Sequence, residues 1–237
     1  MRIIQAGSRA EAVQRVAEII VERVQSHPSA VLGLATGQTM VPVYAELSKA
    51  QTSDFNKTFF FMLDEYLGLP DNHPSSFKSY IQTHFILPLK LKESQFAFPP
   101  TAQENGPAMY ENLLKESGGI DLQLLGIGRN GHVGFNEPGS LRGSRTRIVN
   151  LTEETIEANR GQFTDIIPSK ALSMGIGTIL ESKSLLMLVT GQSKAEAIKY
   201  LLNHHDDPAC PATYLKAHPH FTLVLDPDAA SKINLKI

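Results

Sequence analysis

The stretch Ala30-Val31-Leu32-Gly33-Leu34-Ala35-Thr36-Gly37-Gln38-Thr39-Met40-Val41-Pro42 decides the fold. Residues 30–35 form an apolar run, as a strand buried on both faces requires. Residues 36–39 read as a turn, and residues 41–47 as a helix with proline in its first turn, where a missing N–H costs nothing. This unit of strand, glycine turn and helix recurs along the chain.

Upstream, Ser8-Arg9-Ala10-Glu11 has capping-box spacing, and Ala12, Val13, Val16, Ile19, Ile20 and Val24 follow at helical intervals up to His27-Pro28. A first strand at the N-terminus precedes them. Downstream, residues 58–63 read as a strand, 64–74 as a loop, 75–85 and 104–116 as helices, and 121–127 as a strand. Helices are expected at 152–159 and 170–180, although Gly175 and Gly177 weaken the second. A strand at 185–190, a helix at 193–202, a short helix at 211–217 and a strand at 221–225 complete the series. Alternating helices and fully apolar strands imply an α/β fold, one domain over residues 1–237: a doubly wound, mostly parallel sheet with helices on both faces, Rossmann-like.

Composition narrows the function. The 237 residues are 42% hydrophobic and 19% charged with a formal net charge of −2, so the excess positive charge expected of nucleic-acid or anionic-membrane partners is missing. The single Cys210 excludes an intrachain disulfide and a cysteine-based zinc cluster; a small packed residue in a reducing cytoplasm is the expectation. Neither a signal peptide nor an 18-residue apolar span is visible, which again points to the cytoplasm.

Parallel sheets of this kind bind ligands beyond the carboxyl ends of their strands. Four polar segments fall there: Thr36, Gly37 and Thr39; Asp64, Glu65 and Tyr66; Asn130, His132 and Glu137; and Gln192, Ser193 and Lys194. Thr36-Gly37-Gln38-Thr39 offers hydroxyls and free backbone N–H groups at a helix start, suited to phosphate or to satisfying the turn itself. It lacks the Walker pattern. Gly191-Gln192-Ser193-Lys194 repeats the arrangement with a cation, which is either solvated or held there for an anion; two such turns facing one pocket make a phosphate clamp. Asp64 follows the greasy run Thr58-Phe59-Phe60-Phe61-Met62-Leu63, so desolvation would raise its pKa toward that of a base; an Asx-turn or cap aspartate is the alternative.

The loop Gly126-Ile127-Gly128-Arg129-Asn130-Gly131-His132-Val133-Gly134 places four glycines within nine residues, as a backbone needing unusual φ or close ligand approach does. His132 lies two residues after Asn130 and five before Glu137, spacings that a compact loop folds into contact, giving an imidazole able to shuttle a proton. The G-x-G-x-x-G match is superficial because no helix follows. No metal-ligand spacing accompanies His132, and His204-His205-Asp206-Asp207 reads as solvated surface. No G-x-S-x-G is present.

Jointly, Leu34-Ala35-Thr36-Gly37, the run from Leu63-Asp64-Glu65-Tyr66 to Leu69, Gly126-Ile127-Gly128-Arg129-Asn130-Gly131-His132 with Phe135-Asn136-Glu137-Pro138, and Gly191-Gln192-Ser193-Lys194-Ala195 resemble the glucosamine-6-phosphate deaminase (isomerase) family. The resemblance runs along nearly the whole chain. It implies conversion of an amino sugar 6-phosphate to a ketose 6-phosphate and ammonia without cofactor or metal. His132, oriented by Glu137 and Asn130, would open the pyranose ring, and Asp64 would move a proton between C2 and C1. Thr36, Gly37, Gln38, Thr39 and Lys194 would hold the substrate's phosphate end. Some members carry aspartate at the position of Asn130, which leaves Glu137 more of the electrostatic support here. The family's phosphate-binding arginine falls at Gly161, so either Arg160 takes that role after a local shift or the clamp relies on Lys194.

The resemblance also keeps open a galactosamine-6-phosphate deaminase giving tagatose 6-phosphate and, more distantly, a 6-phosphogluconolactonase-type hydrolase, because one fold supports several chemistries. A sugar-phosphate sensor domain of a transcription regulator is disfavoured by the absence of a helix-turn-helix and a basic patch. The chain stops soon after its last strand, so amino-sugar activation is not expected. The expected partner is a small sugar phosphate, and a homo-oligomer is compatible with the sequence.

Overall fold

The structure is a computed structural model describing residues 1–70, 72–159, 161, 163 and 166–233. In chain order its elements are β1 (Arg2–Gln5), α1 (Arg9–Ser26), β2 (Val31–Leu34), α2 (Val41–Leu47), β3 (Phe59–Met62), β4 (Asp64–Tyr66), α3 (Phe77–Ile81) and α4 (Leu87–Leu89). Then follow β5 (Phe96–Ala97), α5 (Gly106–Glu116), β6 (Leu122–Leu125), β7 (Arg147–Asn150), α6 (Glu153–Asn159) and β8 (Lys170–Ser173). The last are α7 (Ile176–Leu180), β9 (Leu185–Val189), α8 (Ala195–Asn203) and β10 (Phe221–Leu225).

Seven strands form one parallel sheet in the order β1-β10-β9-β6-β2-β3-β5. The doubly wound, mostly parallel architecture expected from the alternating pattern is present. β2 and β6 pair at the middle, with Leu32 opposite Leu122, yet the chain runs from β2 outward to β3 and from β6 the other way to β9. The connections therefore diverge between them, and the crevice above this switch point is where such folds bind ligands. β2, β6 and β9 are buried along their whole length, as strands covered on both faces are. α1 begins at Ser8, whose side chain accepts the Glu11 N–H, and turns Ala12, Val13, Val16, Ile20 and Val24 into the core.

A second, three-stranded antiparallel sheet of β4, β8 and β7 corrects two sequence expectations. Residues 64–66, expected in a loop, are strand β4, paired through Asp64 with Ser173. Residues 170–180, expected as a helix, divide into strand β8 and helix α7. The break falls at Gly175, where a Cβ would lie 2.1 Å from the Ser144 carbonyl oxygen. β5 and β7 fall in segments assigned no element, because two-residue or half-exposed strands carry little periodicity. The expected helix at 75–85 starts at Phe77 and passes into a π-helical turn at Gln82–Ile86.

Among the described residues no helix is long and apolar enough to cross a membrane. Buried side chains from Ala6 to Ala230 form one packed cluster around the large sheet, and Tyr66, Phe135 and Ala171 make a smaller one under the second sheet. The central crossing is tight: a Cβ on Gly33 would lie 1.9 Å from Oε1 of the fully buried Gln123. Gly33→Ala is expected to cost roughly 1–3 kcal/mol by overpacking, read from the urea midpoint; an unchanged midpoint would show that Gln123 has room to move.

Candidate active site

The exits of β2, β3, β6 and β9 surround one cavity of about 1070 Å³. Its walls include Thr36, Gly37, Gln38, Thr39, Asp64, Asn130, His132 and Lys194, so these eight site candidates from the sequence meet around one space. Glu137 stands behind His132, outside the lining. Gln192 and Ser193 are exposed and do not line the cavity. Arg160 lies outside the described residues.

At the β2 exit, Gly37 adopts φ +100, which an L side chain resists, and two tyrosines pin the turn. Tyr44 donates to the Ala35 carbonyl at 2.5 Å and Tyr80 to the Gly37 carbonyl at 2.8 Å. Neither tyrosine stands out in the sequence, because each acts through a backbone atom brought close only by folding. On the opposite wall, Gly191 adopts φ +88 and its N–H meets both oxygens of buried Asp226 at 3.0 Å. That contact sets the turn whose last residue is Lys194. Burial, and then the charge of Arg129, push the Lys194 ammonium below its ordinary range.

Asp64 and Glu65 are adjacent carboxylates with different fates. Glu65 turns away from the cavity and accepts backbone N–H groups of Tyr66, Phe77 and Lys78 at 2.8, 2.9 and 2.8 Å, capping α3. Asp64 is 5% exposed, and among the described residues no donor reaches its carboxyl within hydrogen-bond distance. Burial, and secondarily the charge of Glu65, push its pKa up to about 8. Gly134, at φ +57, leaves the space beside it open: a Cβ there would stand 3.2 Å from Asp64 Oδ2.

The loop after β6 folds back on itself. The His132 ring lies over Gly128, where a Cβ would come within 2.4 Å of it, so only glycine admits the ring. His132 Nδ1 is 3.2 Å from Glu137 Oε2. Asn130 Nδ2 donates to the same oxygen at 2.8 Å, while its Oδ1 accepts the His132 N–H at 3.2 Å. The other Glu137 oxygen accepts the Thr155 hydroxyl at 2.7 Å. Burial alone would raise Glu137, but the hydrogen bond and charge of His132, with the Thr155 and Asn130 donors, outweigh it and pull the pKa down to about 2. An ionised carboxylate only accepts, so Nδ1 carries a proton toward it, and in the singly protonated ring Nε2 is the basic nitrogen.

Cys210 is buried against the same loop, where a Cβ on Gly131 would lie 2.2 Å from its Sγ. His204 and His205 are exposed, and Asp206 and Asp207 are engaged by Arg142 and Tyr200. Among the described residues no group of three His, Cys, Asp or Glu side chains is placed to hold a metal ion.

Residues 5–224 match the family described as glucosamine-6-phosphate isomerases/6-phosphogluconolactonase. The chain belongs to that family. A glucosamine-6-phosphate deaminase of Rhodopirellula baltica is 45% identical, covering 93% of this chain and 91% of its own length. Glucosamine-6-phosphate deaminase 1 of Giardia intestinalis is 41% identical over 99% of this chain and 91% of its own. A solved structure of a monomeric glucosamine-6-phosphate deaminase superposes with a TM-score of 0.94 at 39% identity, covering 98% of this chain and 100% of that one. A 6-phosphogluconolactonase from Trypanosoma cruzi, at 18% identity and a TM-score of 0.80 over 99% and 97% of the two chains, shares the fold.

Two residues outside the expected set stand at the site. Arg129 lines the cavity from inside the quoted glycine loop, where an unmatched cation was a legible signal. Thr155 carries no such signal, since its bond to Glu137 spans 18 positions. Its hydroxyl also accepts from Thr152 at 3.0 Å, which ties the start of α6 to the His132 assembly. Thr155→Val should raise the Glu137 midpoint above its present value of about 2, followed by carboxyl carbon NMR titration, while Thr155→Ser should leave it in place. An unmoved midpoint in the valine variant would rule out Thr155 as a support.

Proposed function

We propose that this chain converts glucosamine 6-phosphate and water to fructose 6-phosphate and ammonia. The observation that carries the reading is Asp64, a desolvated carboxyl with a pKa near 8, facing the same cavity as the basic Nε2 of His132. Identities of 39–45% over 91–100% of the length of proteins named for that activity support it. The proposed roles follow from the groups. His132 Nε2 takes the anomeric hydroxyl proton and returns one to the ring oxygen, breaking the bond between C1 and that oxygen. Glu137, with Asn130 and Thr155, fixes the ring tautomer and stabilises the imidazolium formed in passing. Asp64 as carboxylate takes the C2 proton of the open-chain aldehyde and returns it to C1, while the amine nitrogen gives up a proton and the C1 oxygen gains one, leaving a ketose imine at C2. Water adds to that carbon and ammonia leaves. Thr36, Gly37, Gln38, Thr39 and Lys194 hold the phosphate, with Arg160 as a further candidate.

We take residues 1–237 to act as one domain. The unpaired, buried Cys210 favours a reducing cytoplasm.

An ammonia-release assay on the 6-phosphates of glucosamine, galactosamine and N-acetylglucosamine tests the substrate. Release from the first is expected; release from galactosamine 6-phosphate alone would move the assignment to the epimer, and release from none would remove it. The acidic limb of kcat/KM against pH should bend near 8, because the base form of Asp64 appears there. Asp64→Asn should abolish ketose formation, and retained activity would remove the mechanism.

The same group fixes a stability prediction. Folded Asp64 keeps its proton up to about 8, the unfolded one only to about 4. The folded chain therefore binds more protons between these values and loses stability as pH rises through them. Asp64→Asn should gain on the parent by on the order of a few kcal/mol across that window and hold the gain above it, read by urea unfolding at matched pH. A gain that does not grow with pH would contradict the raised pKa.

A further inference from the structure

The glycine loop after β6 and the turn after β9 each deliver one cation to the cavity. β6 and β9 are neighbours in the sheet, with Leu125 opposite Met187, so Arg129 and Lys194 leave adjacent strand ends. Both line the cavity. Among the described residues neither has a carboxylate within ion-pair distance. Four other arginines are engaged, Arg15 with Glu18, Arg142 with Asp206, Arg145 with Glu111 and Glu181, and Arg147 with Asn136 and Ser140, and none of these four lines the cavity. Two like charges at adjacent strand ends repel one another, and an anion between them removes that cost.

We propose that Arg129 is a substrate-binding residue, the second cation of the phosphate site, which closes with Lys194 on the dianionic group of the sugar. The inference rests on the sugar-phosphate reading above and adds a residue to it. The substrate's own geometry favours the placement. His132 must reach the ring oxygen, which is bonded to C5, and the phosphate hangs from C6 next to it. The phosphate therefore lies a few bonds from the atom His132 protonates, and Arg129 is three residues from His132 on the same loop. A guanidinium offers paired donors matched to two phosphate oxygens, while Lys194 supplies a point charge from the neighbouring turn. Arg129 thereby reads the charge of the substrate at the end away from C2, and its contribution belongs to binding rather than to proton transfer.

The test uses Arg129→Gln in the full chain, with Lys115→Gln as a control that removes the same charge outside the cavity. Inorganic phosphate is the probe in calorimetry, and glucosamine 6-phosphate the substrate in kinetics. Loss of a charge-assisted contact should raise the phosphate Kd and the substrate KM about tenfold with kcat nearly kept, and Lys115→Gln should move none of them. An unchanged phosphate Kd in Arg129→Gln overturns the proposal, as does a fall in kcat with KM and Kd unmoved. Failure of the parent protein to release ammonia would instead strike the sugar reading, and the calorimetric arm would still decide whether Arg129 holds phosphate.

Discussion

The pairing of β2 with β6 is the constraint on which the site depends. These two parallel strands lie side by side while their onward connections leave in opposite directions, so no crossover covers the space above their carboxyl ends. The pairing is tight because Gly33 admits the buried Gln123 amide against its backbone. Four walls of the cavity are a consequence: the Thr36 to Thr39 turn continues β2, the His132 loop continues β6, Asp64 follows β3 on one side and Lys194 follows β9 on the other, while Pro74 to Tyr80 and the α6 residues Thr155 and Glu157 close the rest.

Within that space two carboxylates are driven in opposite directions by their surroundings. Asp64 has burial and a like charge beside it and no donor among the described residues, so its proton is held up to about 8. Glu137 is half-buried but accepts from Asn130 and Thr155 and faces the His132 ring, so it stays ionised down to about 2. Separation of this kind lets one carboxyl exchange a proton near neutral pH while the other only orients a neighbour. Asn130 in place of a charged residue fits the same division, since its amide donates to Glu137 and its carbonyl holds the loop backbone.

The second sheet explains how Asp64 comes to be buried. The chain leaves the main sheet at Leu63 and pairs at once with β8, so Asp64 is held by strand geometry rather than by a mobile loop. Glu65, pointing the other way as alternate strand residues do, spends its charge on the N-terminus of α3. The same local sequence thus provides one carboxyl that faces the cavity and one that caps a helix.

The main sheet apart from its two-residue edge strand β5, the helices at 9–26 and 41–47, the last strand and the four polar strand exits were legible because apolar runs, glycine turns and capping residues are local signals. Asp64, Asn130, His132, Glu137, Thr36 and Lys194 could be named for the same reason, as polar groups following apolar strands. The strands at 64–66, 147–150 and 170–173 were not, since an antiparallel partner far along the chain stabilises them and their own periodicity is short. The clasp of Thr155 on Glu137, the Asp226 anchor under Gly191 and the tyrosines on the Thr36 turn likewise join positions far apart in sequence. By itself the sequence determined which residues are chemically able to act and on which strand ends they sit, because those follow from neighbours a few residues away. Only the tertiary structure decided their protonation and partners, because burial and hydrogen bonding are set by whatever distant segment closes over each group.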